Sequence, residues 1–196
     1  MGQRIIGLTG GIATGKSTVS RYLEARYGLP ILDADAYARQ AVAPGSKILT
    51  AIAERYSQSI LNDDNTLNRS QLGQIIFNDA AEKLWVEQQI HPFVRQQFIE
   101  EMRKVAMLPV VVQSIPLLFE ADLTDQVTEI WVVACSEEVQ RARLIARDHL
   151  SLPAATARIA NQWPLQQKIE LADVVLDNTL TLENLYQQVN HALAVN

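Results

Sequence analysis

The 196-residue chain is poor in several things, and each shortage narrows its possible roles. Its one cysteine, Cys135, excludes an internal disulfide and any cysteine-based zinc site, and such usage suits a reducing cytoplasm. The three histidines, His91, His149 and His191, have no metal-ligand spacing. No uninterrupted apolar run approaches the roughly 18 residues of a membrane span, so no membrane association is expected. The amino terminus enters a strand-like run without the layout of a signal peptide, and Ile6 stands where a myristoylation signal needs Ser or Thr. Bases are also in deficit, 17 against 22 acids, for a net charge of −5. A general nucleic-acid binder shows the opposite balance, because phosphate neutralisation dominates that affinity. Internal repeats, low-complexity tracts and long linkers are missing, and 48% hydrophobic residues with 20% charged ones is the composition of a globular domain.

What is present is an alternation of buried-type strands and helices. Runs at 4–9, 30–32, 109–115 (PVVVQSI), 129–135 (EIWVVAC) and 172–176 (ADVVL) read as five strands. Lys16 to Tyr27 reads as a helix stopped by Gly28-Leu29-Pro30. Continuous apolar strands separated by helices imply a parallel sheet covered on both faces. The stretch 36–108 has almost no strand signal and carries helical patterns at 46–56, 69–77, 80–90 and 93–105, with Pro92 marking a boundary at His91. A parallel crossover needs only about a dozen residues, so this is a helical insertion with another task. Residues 136–169, entirely helical by pattern and rich in Arg, form a second candidate insertion.

The strongest motif is Gly10-Gly11-Ile12-Ala13-Thr14-Gly15-Lys16-Ser17, a G-x-x-x-x-G-K-[ST] loop between a strand and a helix. Backbone N–H groups of such a loop wrap a β-phosphate, Lys16 bridges β- and γ-phosphates, and the Ser17 hydroxyl ligates Mg²⁺. A guanine-reading Asn-Lys-x-Asp does not occur, and neither PVVVQSI nor EIWVVAC ends in the acid that motor and transporter ATPases place there. A small-molecule kinase remains, with a slow nucleotide-dependent switch as the alternative. Asp33-Ala34-Asp35 follows the second strand, whose carboxyl end faces the same crevice as the loop. Two carboxylates so spaced can divide the work, one accepting a hydroxyl proton and the other serving Mg²⁺. Asp35 is the preferred base and Asp33 the preferred Mg²⁺ partner, the sequence leaving the reverse order open, and capping of the next helix is the commonest use of an Asp there. Arg39, one helical turn after Asp35, can hold that carboxylate ionised or contact a substrate phosphate.

These residues resemble the dephospho-coenzyme A kinase family over nearly the whole chain. The resemblance runs through LTGGIATGKSTV (8–19), LDADAYARQAV (32–42), IHPFV (90–94), IPLLFE (115–120), the run 140–148 with Arg143 and Arg147, and ADVVLDN (172–178). It implies ATP-dependent phosphorylation of the ribose 3′-hydroxyl of dephospho-coenzyme A, with Mg²⁺, by a P-loop three-layer α/β fold like that of nucleoside monophosphate kinases. That fold comprises a core (about 1–35, 106–137 and 170–196) with a five-stranded parallel sheet, a helical acceptor-binding insertion (about 36–105) and a helical lid (about 138–169). By position, Lys16, Asp33, Asp35 and Arg147 match catalytic residues, and Gly11, Ile12, Ala13, Thr14, Gly15, Lys16, Ser17, Thr18, Arg143 and Asn178 match the nucleotide site. Asp35, Arg39, His91, Pro116, Leu117 and Leu118 match the acceptor side. The partners implied are the two small-molecule substrates alone, for a monomer or weak homo-oligomer in the cytoplasm. Two departures stand out. The family loop usually reads Gly-Ser-Gly-Lys where Ala13-Thr14-Gly15-Lys16 stands, so Ala13 is unfavourable if that position requires positive φ. Thr179-Leu180 also stand where the family often has Gly after Asp-Asn.

Overall fold

The computed structural model describes residues 2–195. In chain order the elements are β1 (Arg4–Gly10), α1 (Lys16–Tyr27), β2 (Ile31–Asp33), α2 (Ala34–Ala41), α3 (Lys47–Tyr56), α4 (Arg69–Asn78) and α5 (Ala80–Lys104). There follow β3 (Val110–Ser114), β4 (Glu129–Ala134), α6 (Glu137–Asp148), α7 (Leu152–Ala160), α8 (Leu165–Glu170), β5 (Val174–Asp177) and α9 (Leu182–Val195). The chain divides into two compact units, one of residues up to Asp33 and from Val105 onward, the other Ala34–Lys104.

In the first unit all five strands are parallel, in the order β2-β3-β1-β4-β5. The chain leaves β1 for one side of the sheet, returns through β3, and crosses to β4 on the other side. The carboxyl end of β1 is therefore a topological switch point, where open α/β sheets open a crevice for ligands. Fully buried Ile6, Leu8, Val112, Trp131 and Val133 pack with Val19 and Leu23 of α1 and with Leu185 and Val189 of α9. Burying each such side chain contributes about 1.5–3 kcal/mol, which is why these strands read as unbroken apolar runs. Helix α1 ends as its sequence demands: Gly28 adopts φ 64° and its N–H donates to the Glu24 carbonyl at 2.9 Å. Arg4 ties the first strand to the last helix, pairing with Glu129 and donating to the Leu193 and Ala192 carbonyls at 3.0 and 3.1 Å. Residues 136–169 form α6, α7 and α8, interrupted at His149, whose φ is 53°, and at the turn Asn161–Pro164.

The second unit has its own core, in which Leu49 and Ile52 of α3, Leu72 of α4 and Val86 of α5 are buried with Ile60 and Leu67. The boundary expected at His91-Pro92 does not exist, because α5 runs through Pro92 as one 25-residue helix. Proline removes one helical hydrogen bond at a cost of about 3 kcal/mol, which burial of Val86 before it and Phe98 after it helps to offset. Helices α3 and α5 are also clamped by Arg55, whose Nε and Nη2 each donate to the Glu82 carboxylate at 2.7 Å, with the Tyr56 hydroxyl donating to the same group. Those bonds hold the Glu82 carboxyl down to about 2. A depressed carboxyl stabilises the fold above its ordinary pKa near 4.5, and that contribution disappears as pH falls through about 2. Glu82→Gln is therefore expected to flatten the fall in thermal midpoint across that window. Identical pH profiles for the two proteins would contradict this.

Candidate active site

The phosphate loop follows from the end of β1 and the start of α1. Gly10 and Gly15 take φ of 156° and 106°, and Ala13 takes 62°. The condition under which Ala13 is unfavourable is therefore met: the position is left-handed, which is costly for a residue with a Cβ, and the chain accepts that strain. Turn bonds from Thr14 N–H to the Gly11 carbonyl (3.2 Å) and from the Thr14 hydroxyl to the same oxygen (2.8 Å) close the loop. The first N–H groups of α1, at Lys16 and Ser17, have no intrahelical acceptor and carry the helix's partial positive charge, which is the chemistry of a phosphate cradle. Ser17 is exposed, Thr18 is half-buried and Thr14 is buried.

Side chains from distant segments converge on this loop. Lys16 Nζ donates to Ser114 Oγ at 2.6 Å, which sets the ammonium over the carboxyl end of β3. Ser114 is in register with Asp33, so Asp33 ends β2 beside the strand that holds the lysine. Asn178 Nδ2 donates to the Thr14 carbonyl at 2.7 Å, and Arg143 reaches the Asn178 carbonyl at 3.0 Å and the Thr14 carbonyl at 3.5 Å. Gln140 and Gln162 bond the backbone of Ile12. Cys135 is buried at the end of β4, and burial pushes its thiol up while the nearby Arg143 charge opposes the shift, so it stays a neutral thiol. The loop tolerates no side chain at Gly15, where a Cβ would lie 2.1 Å from Asn178 Nδ2 in a backbone conformation that resists one. Gly15→Ala is expected to displace Asn178 and weaken ADP binding at least tenfold in calorimetric titration. Affinity within twofold of the parent would count against a loop built around that contact.

Other expected site residues are placed differently. Arg147 is exposed and forks onto its neighbour Asp148 at 2.8 and 3.0 Å, with Arg158 on the same carboxylate at 2.8 Å. These hydrogen bonds hold Asp148 below the usual carboxylate range. Beyond β3, the Pro116 carbonyl accepts from the Thr9 hydroxyl at 3.0 Å and Leu117 is exposed. Leu118, expected on the acceptor side, is fully buried, with its Cδ2 beside Gly7. Glu120 takes an orienting role: its Oε1 accepts from fully buried Lys168 at 2.7 Å and from the Trp163 N–H at 3.1 Å, tying α8 to the segment after β3. In the second unit, Asp35 and Arg39 are exposed on α2, and His91 and Pro92 are exposed on α5 in a shallow groove with Leu84, Arg95 and Ile99. Arg69, at the start of α4, is held below the ordinary arginine value by partial burial and by the charge of Arg39.

Ser114, Gln140 and Gln162 escaped the reading of the sequence. A polar residue closing the buried run VVVQS was the available signal for Ser114, whereas nothing local distinguishes the two glutamines.

A parallel sheet with a phosphate loop at its switch point, and a lysine and an arginine gathered about that loop, defines a P-loop phosphoryl-transfer protein of the kinase type. The chain belongs to the dephospho-CoA kinase family, whose model matches residues 4–184. It is 57% identical over 187 residues to the dephospho-CoA kinase of Synechocystis sp., covering 95% of this chain and 93% of that relative. A solved protein of Thermus thermophilus, 33% identical, superposes with a TM-score of 0.82 over 100% of this chain and 98% of its own. The dephospho-CoA kinase of Campylobacter jejuni, 27% identical, superposes with a TM-score of 0.71 over 97% of this chain and 95% of its own.

Proposed function

We propose that this chain transfers the γ-phosphoryl group of ATP to the ribose 3′-hydroxyl of dephospho-coenzyme A, giving coenzyme A and ADP, the final step of coenzyme A synthesis. The observation that carries the reading is the placement of Lys16 on Ser114, beside Asp33, in a chain of this family. The backbone from Gly11 to Thr18 holds the donor phosphates, and Asn178 supports the loop near the adenine. Asp35 accepts the proton of the 3′-hydroxyl as its oxygen attacks the γ-phosphorus and the bond to the β-bridging oxygen breaks. Lys16, Arg143 and Arg147 neutralise charge on the transferring group, with Arg147 leaving Asp148 to do so. Arg39, joined by Arg69, holds acceptor phosphate, and His91, Pro116 and Leu117 support the rest of the acceptor.

The residues fit Mg²⁺. Ser17 and Asp33 offer oxygen ligands, and among the described residues no group of three His, Cys, Asp or Glu side chains forms a cage complete in itself. A hard cation that keeps phosphate oxygens and water in its shell needs only one or two protein ligands. Held by Ser17 and Asp33, it would supply neutralisation of the charge on the donor phosphates. The cytoplasm is the compartment this chemistry asks for, because ATP and a free substrate thiol meet there. Among the described residues no helix is long and apolar enough to cross a membrane. We take the working unit to be a monomer or weak homo-oligomer.

The test is ADP release measured with dephospho-coenzyme A, shikimate, AMP and CMP in parallel, with transferred phosphate followed on the acceptor. A response confined to dephospho-coenzyme A is expected. Free phosphate alone, or a response only to another acceptor, would overturn the assignment.

A further inference from the structure

Ile12 sits between two glutamine side chains that come from far along the chain. Its N–H donates to Gln162 Oε1 at 2.7 Å, and its carbonyl accepts from Gln140 Nε2 at 2.7 Å. Gln140 is buried in α6, and Gln162 lies in the turn between α7 and α8. The space beside Gly11 is filled by the same amide, since a Cβ there would lie 2.6 Å from Gln140 Nε2. The next residue is Ala13, held at φ 62°, a left-handed conformation that an L-residue with a Cβ adopts only at a cost. Such strain persists where the surroundings over-determine the backbone.

We propose that Gln140 and Gln162 are positioning residues for nucleotide binding, a two-sided clamp on Ile12 that keeps Ala13 left-handed and so keeps the phosphate loop in its binding shape. The two bonds fix the peptide planes on either side of Ile12, leaving the chain entering Ala13 little freedom to relax. They also tie the loop to two separate helical segments, so its shape is set before nucleotide arrives. The inference rests on the phosphate-binding reading of the loop.

A double-mutant cycle between Gln162→Leu and Ala13→Gly tests it, read by calorimetric titration with ADP and by the KM values for ATP and dephospho-coenzyme A. Gln162→Leu alone is expected to weaken ADP binding five- to tenfold and raise the KM for ATP similarly, with the KM for dephospho-coenzyme A within twofold. In the Ala13→Gly background, where the left-handed conformation needs no holding, the same change is expected to cost less than threefold. Gln140→Leu should behave in the same way, and Gln162→Ala replaces Gln162→Leu if the latter does not fold. Unchanged ADP affinity in these variants, or equal losses in both backgrounds, would overturn the clamp and leave the kinase reading standing. Failure of the parent protein to bind ADP would overturn both.

Discussion

Lys16→Met is expected to lower the rate of phosphoryl transfer by about 10²–10³, the usual cost of removing one preorganised charge from a developing anion. The lysine is held by Ser114 Oγ at 2.6 Å, so its ammonium waits in place and little reorganisation precedes reaction. Lys16→Arg should rescue poorly. A planar guanidinium presents a fork where the structure has a compact ammonium against one hydroxyl. Single-turnover measurement at saturating ATP separates this loss from weakened binding. A rate within tenfold of the parent would remove Lys16 from the transfer step.

Asp35→Asn is expected to reduce kcat by about 10²–10⁴, the range for loss of a general base, with ADP affinity within twofold of the parent. Asp33→Asn is expected to act differently, raising the Mg²⁺ concentration needed for half-maximal rate. The contrast follows from position: Asp33 closes β2 in register with Ser114, whereas Asp35 is exposed two residues later on α2. Measuring both variants across a Mg²⁺ titration assigns the two roles. Full turnover by Asp35→Asn would take the base role from it.

The readable parts of this chain are those whose physics is local. The phosphate loop needs glycine at fixed spacing between a strand and a helix, so it announces itself, and α1 was legible from its first residue to its glycine stop. The five strands were legible because burial on both faces leaves unbroken apolar runs, with boundaries shifted by one or two residues where the sheet runs out of partners. Pro92 misled because a local penalty is outweighed by packing on either side of it, which no single window displays. Leu117 is exposed and Leu118 fully buried, a distinction the sequence does not carry, because an apolar residue after a strand can face a crevice or the interior with the same letters.

By itself, then, the sequence determined the class of chemistry, the parallel sheet, the helical insertion and the loop with its lysine, because periodicity and short motifs encode contacts made within a few residues. Tertiary structure alone decided that Ser114 holds that lysine, that Asn178 and Arg143 meet at Thr14, and that two glutamines 22 residues apart grip Ile12 from either side. It also decided that Ala13 is left-handed. These are contacts between segments about 100 residues or more apart, and no propensity or spacing records which of many polar side chains the folded chain will bring to one backbone atom.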